Sequence, residues 1–275
     1  MPNIKIIDYV YQLERRNKNS LVNDILKRNR DAYLRILHEI QKYNEDFETI
    51  AYDEPADKTL PHWDNQWFSS YDACSIYYLI SKYKPKYYLE VGSGNSTKFA
   101  KLAVNNRSPE TKIISIDPQP RAEIDQICDE VIRERFENVD LKSLDYLSEN
   151  DIVFIDNSHR SLQNSDVTVF FTEFLPILPK GLIFGLHDIF LPYDYPEGWE
   201  TRLYSEQYML ATYLLSGQTR DTIFLPVHYV SVGDDPELAR AAAEICPEET
   251  FGSRFRRGAA CFWMRRDVEP ELALP

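Results

Sequence analysis

The stretch that decides the fold is Lys86-Tyr-Tyr-Leu-Glu-Val-Gly-Ser-Gly-Asn-Ser-Thr97. An apolar run ends there in an acidic residue and a Gly-x-Gly turn, which predicts a strand, a loop and a helix. Gly92 and Gly94 lack a Cβ, so the backbone can turn sharply and let a ligand approach its amides. Ser96 or Thr97 is suited to cap the helix. The motif predicts a nucleoside-binding loop, although an ordinary tight turn has the same pattern.

A second strand is predicted over Lys112-Ile-Ile-Ser-Ile-Asp-Pro118, and it ends in the carboxylate of Asp117. A carboxylate at this position of a βαβ unit can accept both hydroxyls of a ribose. A dinucleotide fold would want a third glycine where this chain has Thr97, because the first helix must lie close to its strand there. The spacing therefore favours a nucleoside ligand and counts against NAD.

At this point the chain resembles the class I S-adenosylmethionine-dependent methyltransferases, through motifs that occur in order between residues 70 and 266. The matching motifs are Glu90-Val-Gly-Ser-Gly94, Asp117, Asp151-Ile-Val-Phe-Ile-Asp156 and Pro179-Lys-Gly-Leu-Ile-Phe-Gly-Leu-His-Asp188. More narrowly, Ile155-Asp-Asn-Ser-His159 followed by His187-Asp188 is similar to a bacterial subgroup that modifies sugars, glycans or secondary metabolites.

Short apolar runs alternate with helical patterns along the chain, which predicts an α/β fold with a parallel sheet and crossover helices. The resemblance implies a Rossmann-like, doubly wound, seven-stranded, mostly parallel sheet whose last strand is antiparallel. Beyond the first two strands, we expect strands at 131–136, 151–156, 181–187, 222–230 and 259–266. Helices are expected at 71–83, after Thr97, at 163–175 and at 204–215.

Two regions are predicted: an N-terminal helical extension over residues 1–60, and a methyltransferase domain over residues 61–275. Apolar residues from Leu21 to Tyr43 recur at helical spacing, which predicts an amphipathic helix starting near Asn19-Ser20. Residues 53–61 are polar and interrupted by proline, which indicates a loop or linker. The extension has three open roles: packing on the core, covering the site, or joining copies into a homo-oligomer.

The composition excludes several classes of partner. Acidic residues outnumber basic ones by 44 to 31, and the net charge of −13 would repel a nucleic acid. No apolar run is long enough to span a bilayer and the start lacks a signal-peptide pattern, so we expect a cytoplasmic protein with no membrane partner. The four cysteines, Cys74, Cys128, Cys246 and Cys261, are scattered, which favours neither a zinc site nor a disulfide framework.

The resemblance implies which residues hold S-adenosylmethionine. Those around the methionine moiety and ribose are Glu90, Gly92, Ser93, Gly94, Thr97 and Asp117, with Pro118 and Gln119 flanking the ribose and Asp156 near the amino group. The adenine contact is expected within residues 136–140, where no motif assigns it.

Methyl transfer to a hydroxyl requires alignment and the removal of a proton. The candidates lie just past predicted strand ends, where parallel sheets place ligands: Asp156, Asn157, Ser158 and His159 after one strand, and His187 and Asp188 after the next. Either histidine titrates near neutral pH and is a plausible base; we favour His159. Alternatively, each histidine is an ordinary polar residue whose hydrogen bonds are made within the protein and which takes no part in catalysis.

Asp156 and Asp188 could also hold Mg²⁺ or another divalent cation, with His187 or Asn157 completing the shell. Metal-dependent O-methyltransferases use a comparable carboxylate pair, but their usual pattern after the fifth strand is acidic-acidic or Asp-Asn. In this chain His187 takes the first position of that pattern, so one of the hard oxygen ligands is missing. Alternatively, Asp188 binds backbone amides or caps a helix.

The acceptor is predicted to meet an aromatic loop, Ile189-Phe-Leu-Pro-Tyr-Asp-Tyr-Pro-Glu-Gly-Trp199, with His62, Trp63 and Trp67 on an opposite wall. Trp199 and Tyr193 are equally compatible with plain packing. The leading hypothesis is O-methylation of a saccharide or small-molecule hydroxyl. The alternatives are N-methylation, an NAD-linked oxidoreductase or epimerase, and a donor-binding scaffold without catalysis.

Overall fold

The computed structural model describes residues 18–120, 122–217, 221–245 and 259–267. Its strands are β1 (Tyr87–Val91), β2 (Lys112–Ile116), β3 (Glu130–Ile132), β4 (Ile152–Ile155), β5 (Ile183–Leu186), β6 (Thr222–Pro226) and β7 (Phe262–Arg265). Within these residues they form one seven-stranded sheet in the order β3-β2-β1-β4-β5-β7-β6.

The first five strands are parallel, whereas β7 runs antiparallel to both β5 and β6. This is the predicted Rossmann-like sheet with an antiparallel last strand, and the fold class is confirmed. The chain leaves β1 toward β2 on one side and returns to β4 on the other. Loops that follow the carboxyl ends of β1 and β4 therefore enclose a crevice, where such sheets bind ligands.

The helices are α1 (Ser20–Lys27), α2 (Arg30–Gln41), α3 (Asn44–Glu48), α4 (Ser70–Tyr83), α5 (Asn95–Arg107), α6 (Asp166–Val169), α7 (Glu206–Leu215), α8 (Val227–Val232) and α9 (Pro236–Ala243). Short 3₁₀ turns occur at Asp125–Ile127, Phe136–Asn138, Leu141–Leu144, Leu175–Ile177 and Glu200–Arg202, and a π-helical turn at Phe170–Phe174.

The sheet core is closed by aromatic packing between β4, β5 and β7. The Trp263 ring stacks on Phe154 at a centroid distance of 5.2 Å, and its Nε1 donates a hydrogen bond to Ser75 Oγ at 2.8 Å. Gly185 makes room for that ring, because a Cβ at this position would lie 2.3 Å from Trp263 Cζ3. Inside the core, the indole thus has both an aromatic ring to pack against and a hydrogen-bond acceptor for its N–H.

The described part of the predicted extension packs on the rest of the chain. Val22, Leu26 and Tyr33 are fully buried, and Gln41 Nε2 donates to the carbonyl of Ala241 at 2.8 Å. Packing is therefore observed for this segment, while the boundary at residue 60 and the oligomeric role stay predictions. Residues 1–17 and Cys246 lie outside the described residues.

Three predicted elements differ from the structure. The expected single helix after Asn19 starts correctly, since Asn19 Oδ1 accepts from Val22 N at 3.1 Å, but it breaks before Asn29 into α1 and α2. The expected strand 222–230 ends at Pro226 and continues as α8, because proline has no N–H to extend the ladder. The expected helix 163–175 is α6 followed by π-helical and 3₁₀ turns.

No helix among the residues that the structure describes combines the length and the apolarity needed to cross a bilayer.

We expect Gly92→Ala to destabilise the fold and Gly94→Ala to be tolerated. Gly92 has φ +81° and a Cβ there would lie 1.7 Å from the Asp156 carbonyl oxygen, whereas nothing lies within 4 Å of a Cβ at Gly94. Overpacking of this kind costs about 1–3 kcal/mol. Denaturant titration of both variants measures the difference, and equal stability of the two would contradict the steric argument.

Candidate active site

A cavity of about 1370 Å³ lies at the carboxyl edge of the sheet. The loops after β1, β2, β4 and β5 all reach it. Its lining includes these predicted site residues: Gly92, Ser93, Gly94, Asp117, Pro118, Gln119, Asp156, His159, His187 and Asp188. The other two proton-removal candidates, Asn157 and Ser158, also belong to the lining, whereas Glu90 and Thr97 lie outside it.

The turn after β1 is fixed by hydrogen bonds to its neighbours. Gly92 N donates to the carbonyl of Ile116 at 3.0 Å, and Ser93 N donates to Asp117 Oδ2 at 2.8 Å. Ser93 Oγ lies 2.7 Å from Ser115 Oγ. Both β1 and β2 thus set the position of the turn, and Gly92 allows it to pass against the end of β4.

Asp117 stands at the end of β2 with both carboxylate oxygens on backbone amides. Oδ2 accepts from Ser93 N, and Oδ1 accepts from Gln119 N at 2.7 Å. A carboxylate oxygen has two acceptor positions, so each can still accept a further hydroxyl. The side chain is therefore oriented toward the cavity as a ribose contact would require.

Glu90 and Thr97 support the turn from behind. Glu90 is fully buried and accepts a hydrogen bond from Ser96 Oγ, while Thr97 Oγ1 accepts from Gly94 N at 3.0 Å. Burial raises the pKa of the Glu90 carboxyl from its usual 4.5 to about 8. Direct contact of Glu90 and Thr97 with a bound methyl donor stays a prediction.

The loop after β3 reaches the cavity through Arg135, Phe136 and Glu137. Phe136 is 2% exposed, so its ring belongs to the core as well as to the cavity wall. These residues fall at the start of the segment 136–140, from which the adenine contact is expected.

The loop after β4 holds His159 in an uncommon backbone conformation. His159 has φ +57° and Asp188, after β5, has φ +53°, both in the left-handed region that non-glycine residues seldom adopt. His159 N donates to Asn157 Oδ1 at 2.8 Å, and its carbonyl accepts from Ser205 N at 2.7 Å. The loop is thus tied to the start of α7, and surrounding bonds maintain the strained position.

Two imidazoles and two carboxylates meet in the cavity, and we call this set the reacting cluster: Asp156, His159, His187 and Asp188. Asp156 Oδ1 lies 3.3 Å from His159 Nε2 and 3.3 Å from His187 Nδ1. Asp188 Oδ2 lies 3.4 Å from His159 Nε2, and its Oδ1 lies 3.7 Å from His187 Nδ1. Each ring therefore turns one nitrogen toward both carboxylates.

The opposite nitrogen of each imidazole faces an inner carboxylate that is fully buried. Glu206 Oε2, from α7, lies 2.8 Å from His159 Nδ1. Asp72 Oδ2, from α4, lies 3.6 Å from His187 Nε2, and Asp72 also accepts from the amides of Ala260 and Cys261. The hydrogen bond with Glu206 fixes the orientation of the His159 ring, whereas His187 Nε2 is buried without a hydrogen-bond partner among the described residues.

Sequence reasoning placed Glu206, with Arg202 and Gln207, beside the aromatic acceptor loop, but it assigned neither Glu206 nor Asp72 to a histidine. Asp72 lies inside an otherwise apolar helical pattern, where an unpaired charge would be costly, and this was the available signal. Glu206 follows the aromatic loop and carries no such signal.

The surrounding carboxylates control the protonation of the two histidines. Burial alone would lower the pKa of His159, but hydrogen bonds to Asp156 and Glu206 outweigh it and raise that pKa well above 6.5. The pKa of His187 is raised in the same way, chiefly by the charges of Asp156 and Asp188. Both rings therefore favour the protonated form at neutral pH.

The cluster fits a divalent cation. Asp156, His159 and His187 offer ligand atoms that all lie within 4.8 Å of one another. The predicted ligands Asp156 and Asp188 are both in contact with these rings. Imidazole nitrogens beside carboxylate oxygens form a donor set of mixed character, which suits Mn²⁺ or Zn²⁺ better than an all-oxygen ion such as Mg²⁺.

Aromatic side chains line two parts of the cavity wall. Trp67, 62% exposed, lies on the segment before α4, while Trp199 and Tyr204 lie on the loop before α7. The expected wall residue Trp63 packs on Phe99 at 5.4 Å and is outside the lining, since it is buried in the core.

Residues 89–189 match a family model described as a methyltransferase domain. No curated protein matches the chain. Among solved structures, the O-methyltransferase TomG from Streptomyces achromogenes, involved in tomaymycin synthesis, is 14% identical, with 85% of this chain and 90% of that chain covered and a TM-score of 0.37.

An O-methyltransferase from Bacillus cereus is also 14% identical, with 83% and 89% covered and a TM-score of 0.39. The plantazolicin methyltransferase BpumL is 13% identical, with 90% and 100% covered and a TM-score of 0.43. These likenesses are distant, and the site assignments rest on the geometry above.

We expect the buried Glu90 to make stability depend on pH. Its carboxyl stays protonated in the folded chain up to about pH 8 but ionises near 4.5 when unfolded, so its stabilising contribution is complete below 4.5 and is lost as pH rises through 8. Denaturant titrations across this range should show a smaller loss of stability for Glu90→Gln than for the unchanged protein. Glu130→Gln, at an exposed position of β3, is the control; identical pH dependence in all three proteins would contradict the assignment.

Proposed function

We propose that the chain is a class I S-adenosylmethionine-dependent methyltransferase and that it methylates a hydroxyl oxygen of a saccharide or other small molecule. The observation that supports this proposal is the position of the reacting cluster. It lies in the same cavity as the turn after β1 and Asp117, so a donor held by that turn would present its methyl group toward imidazoles and carboxylates.

In this proposal the donor lies along the carboxyl edge of the sheet. Its methionine end would lie against the turn at Ser93 and Gly94, Asp117 would accept its ribose hydroxyls, and Pro118 and Gln119 would flank the ribose. Asp156, on the adjacent strand, is near enough to the turn to attract the donor's ammonium and sulfonium charges.

The acceptor hydroxyl would lie beside His159 Nε2. Transfer breaks the bond between the methyl carbon and sulfur, forms a bond between that carbon and the acceptor oxygen, and releases the hydroxyl proton to the imidazole. Glu206 would act as a positioning residue that keeps Nε2 directed at the acceptor. The positive sulfonium of the bound donor would lower the pKa of the His159 ring, and His159 would accept the proton in the fraction of the enzyme in which the ring is neutral.

A divalent cation would lie between Asp156, Asp188 and His187. When bound, such an ion lowers the pKa of a coordinated hydroxyl. The side chains themselves would orient the hydroxyl and exclude bulk water from it, since His159 and His187 are both buried.

The aromatic walls support the acceptor class. Trp67 and Trp199 line the cavity, and aromatic rings bind the apolar side of a sugar or a planar ring. Polar groups of the reacting cluster lie between them, as an acceptor with a ring and hydroxyls requires.

We expect Asp117→Ala to weaken binding of S-adenosylhomocysteine about tenfold or more, because charge-assisted hydrogen bonds to the ribose are lost. Isothermal titration calorimetry measures this directly. Asp129→Asn is the control, since Asp129 accepts the amide of Ile113 at the opposite end of β2 and should keep normal affinity. Unchanged affinity in the Asp117 variant would overturn the ribose assignment, and binding of NAD alone would overturn the proposed donor.

We expect His159→Ala to lower kcat about 100-fold or more while affinity for S-adenosylhomocysteine stays near normal, because general-base removal acts on the chemical step. Added imidazole should restore part of the rate. Glu206→Gln should lower kcat less and leave KM for the donor unchanged. His38→Ala, at an exposed position of α2, is the control. A His159 variant with full turnover would remove His159 from the mechanism.

A further inference from the structure

Two arginines line the cavity beside the reacting cluster without an ion-pair partner among the described residues. Arg160 and Arg202 both belong to the lining. Elsewhere in the structure, the guanidinium groups of Arg30, Arg107 and Arg266 each contact a carboxylate. In a chain of net charge −13, two unneutralised guanidinium groups in one cavity are a distinct feature.

Both side chains are held in place by contacts that leave hydrogen-bond donors available. The Arg202 guanidinium lies 3.7 Å from the centroid of the Trp199 ring and 5.6 Å from that of Tyr204. Arg160 Nε donates to the carbonyl of Arg202 at 2.8 Å, which leaves its two terminal nitrogens without a partner in the described residues. Stacking fixes the plane of a guanidinium while its edge stays open to a ligand.

The pair is adjacent to the proposed position of the acceptor. Arg160 follows His159 directly, and the Tyr204 ring lies 4.7 Å from the His159 ring. A ligand that reaches both His159 and the two arginines would have to lie along the part of the cavity wall that contains Tyr204.

We propose that Arg160 and Arg202 form an oxyanion subsite that binds a carboxylate, phosphate or sulfate group of the acceptor. This inference rests on the proposed function and narrows its substrate class to anionic acceptors. The planar donors of guanidinium match the paired oxygens of these groups, and the exposed edge above Trp199 allows a bidentate contact. Trp199 would then support both the arginine and the ring of the acceptor.

The test uses full-length protein saturated with S-adenosylhomocysteine, titrated calorimetrically at low ionic strength with D-glucuronate, D-glucose or inorganic phosphate. We expect D-glucuronate to bind about tenfold or more tightly than D-glucose, with an affinity that falls as salt is added. Binding of phosphate with equal affinity would identify the charge, rather than the sugar ring, as the recognised group.

The variant Arg160→Gln/Arg202→Gln should lose the preference for D-glucuronate, whereas Arg28→Gln/Arg35→Gln should keep it. Arg28 and Arg35 are exposed on α1 and α2, and their replacement changes the net charge by the same amount. Normal binding of S-adenosylhomocysteine by both variants shows that the fold and donor site are intact.

Equal binding of D-glucose and D-glucuronate, equal effects of the two double variants, or no binding of any anion by donor-saturated protein would overturn the subsite. Failure to bind S-adenosylhomocysteine at all would instead overturn the proposed function, so the two failures are distinguishable.

Discussion

The close contact between the turn after β1 and the last peptide of β4 determines the shape of the cavity. Gly92 lies against the carbonyl of Asp156, where no side chain could fit, and Asp156 N donates to the carbonyl of Val91 at 2.8 Å. The same two strands therefore position the donor turn and the reacting cluster. A shift of either strand would alter both sites together, because no flexible segment separates them.

The sequence was sufficient for the order of the strands and for most of the residues that it assigned to the site. Apolar runs that end in Gly92, Asp117, Asp156 and His187 are strand signals, and parallel topology brings their carboxyl ends to one edge. Local pattern was insufficient where tertiary contacts decide the outcome. The residues after Pro226 have strand-like composition, yet they form α8, because the proline that ends β6 has no N–H to extend the ladder.

The inner carboxylates Glu206 and Asp72 illustrate a second limit of sequence reasoning. Neither is adjacent in sequence to the histidine that it faces, and only the packing of α7 and α4 on the sheet brings them there. The two imidazolium charges offset part of the charge of the four surrounding carboxylates, which would be costly if buried singly. Some of the acidic residues that give the chain its negative net charge thus have a definite local role, which is to face the two histidines.

The indole of Trp263 occupies the space that a side chain at position 185 would need. The two positions are therefore coupled across neighbouring strands. A larger side chain at one position is compatible with the fold only if the side chain at the other position becomes smaller. Among relatives of this chain, a larger residue on the fifth strand should be accompanied by a smaller one on the seventh, a covariation that would record the packing of this sheet in the sequences themselves.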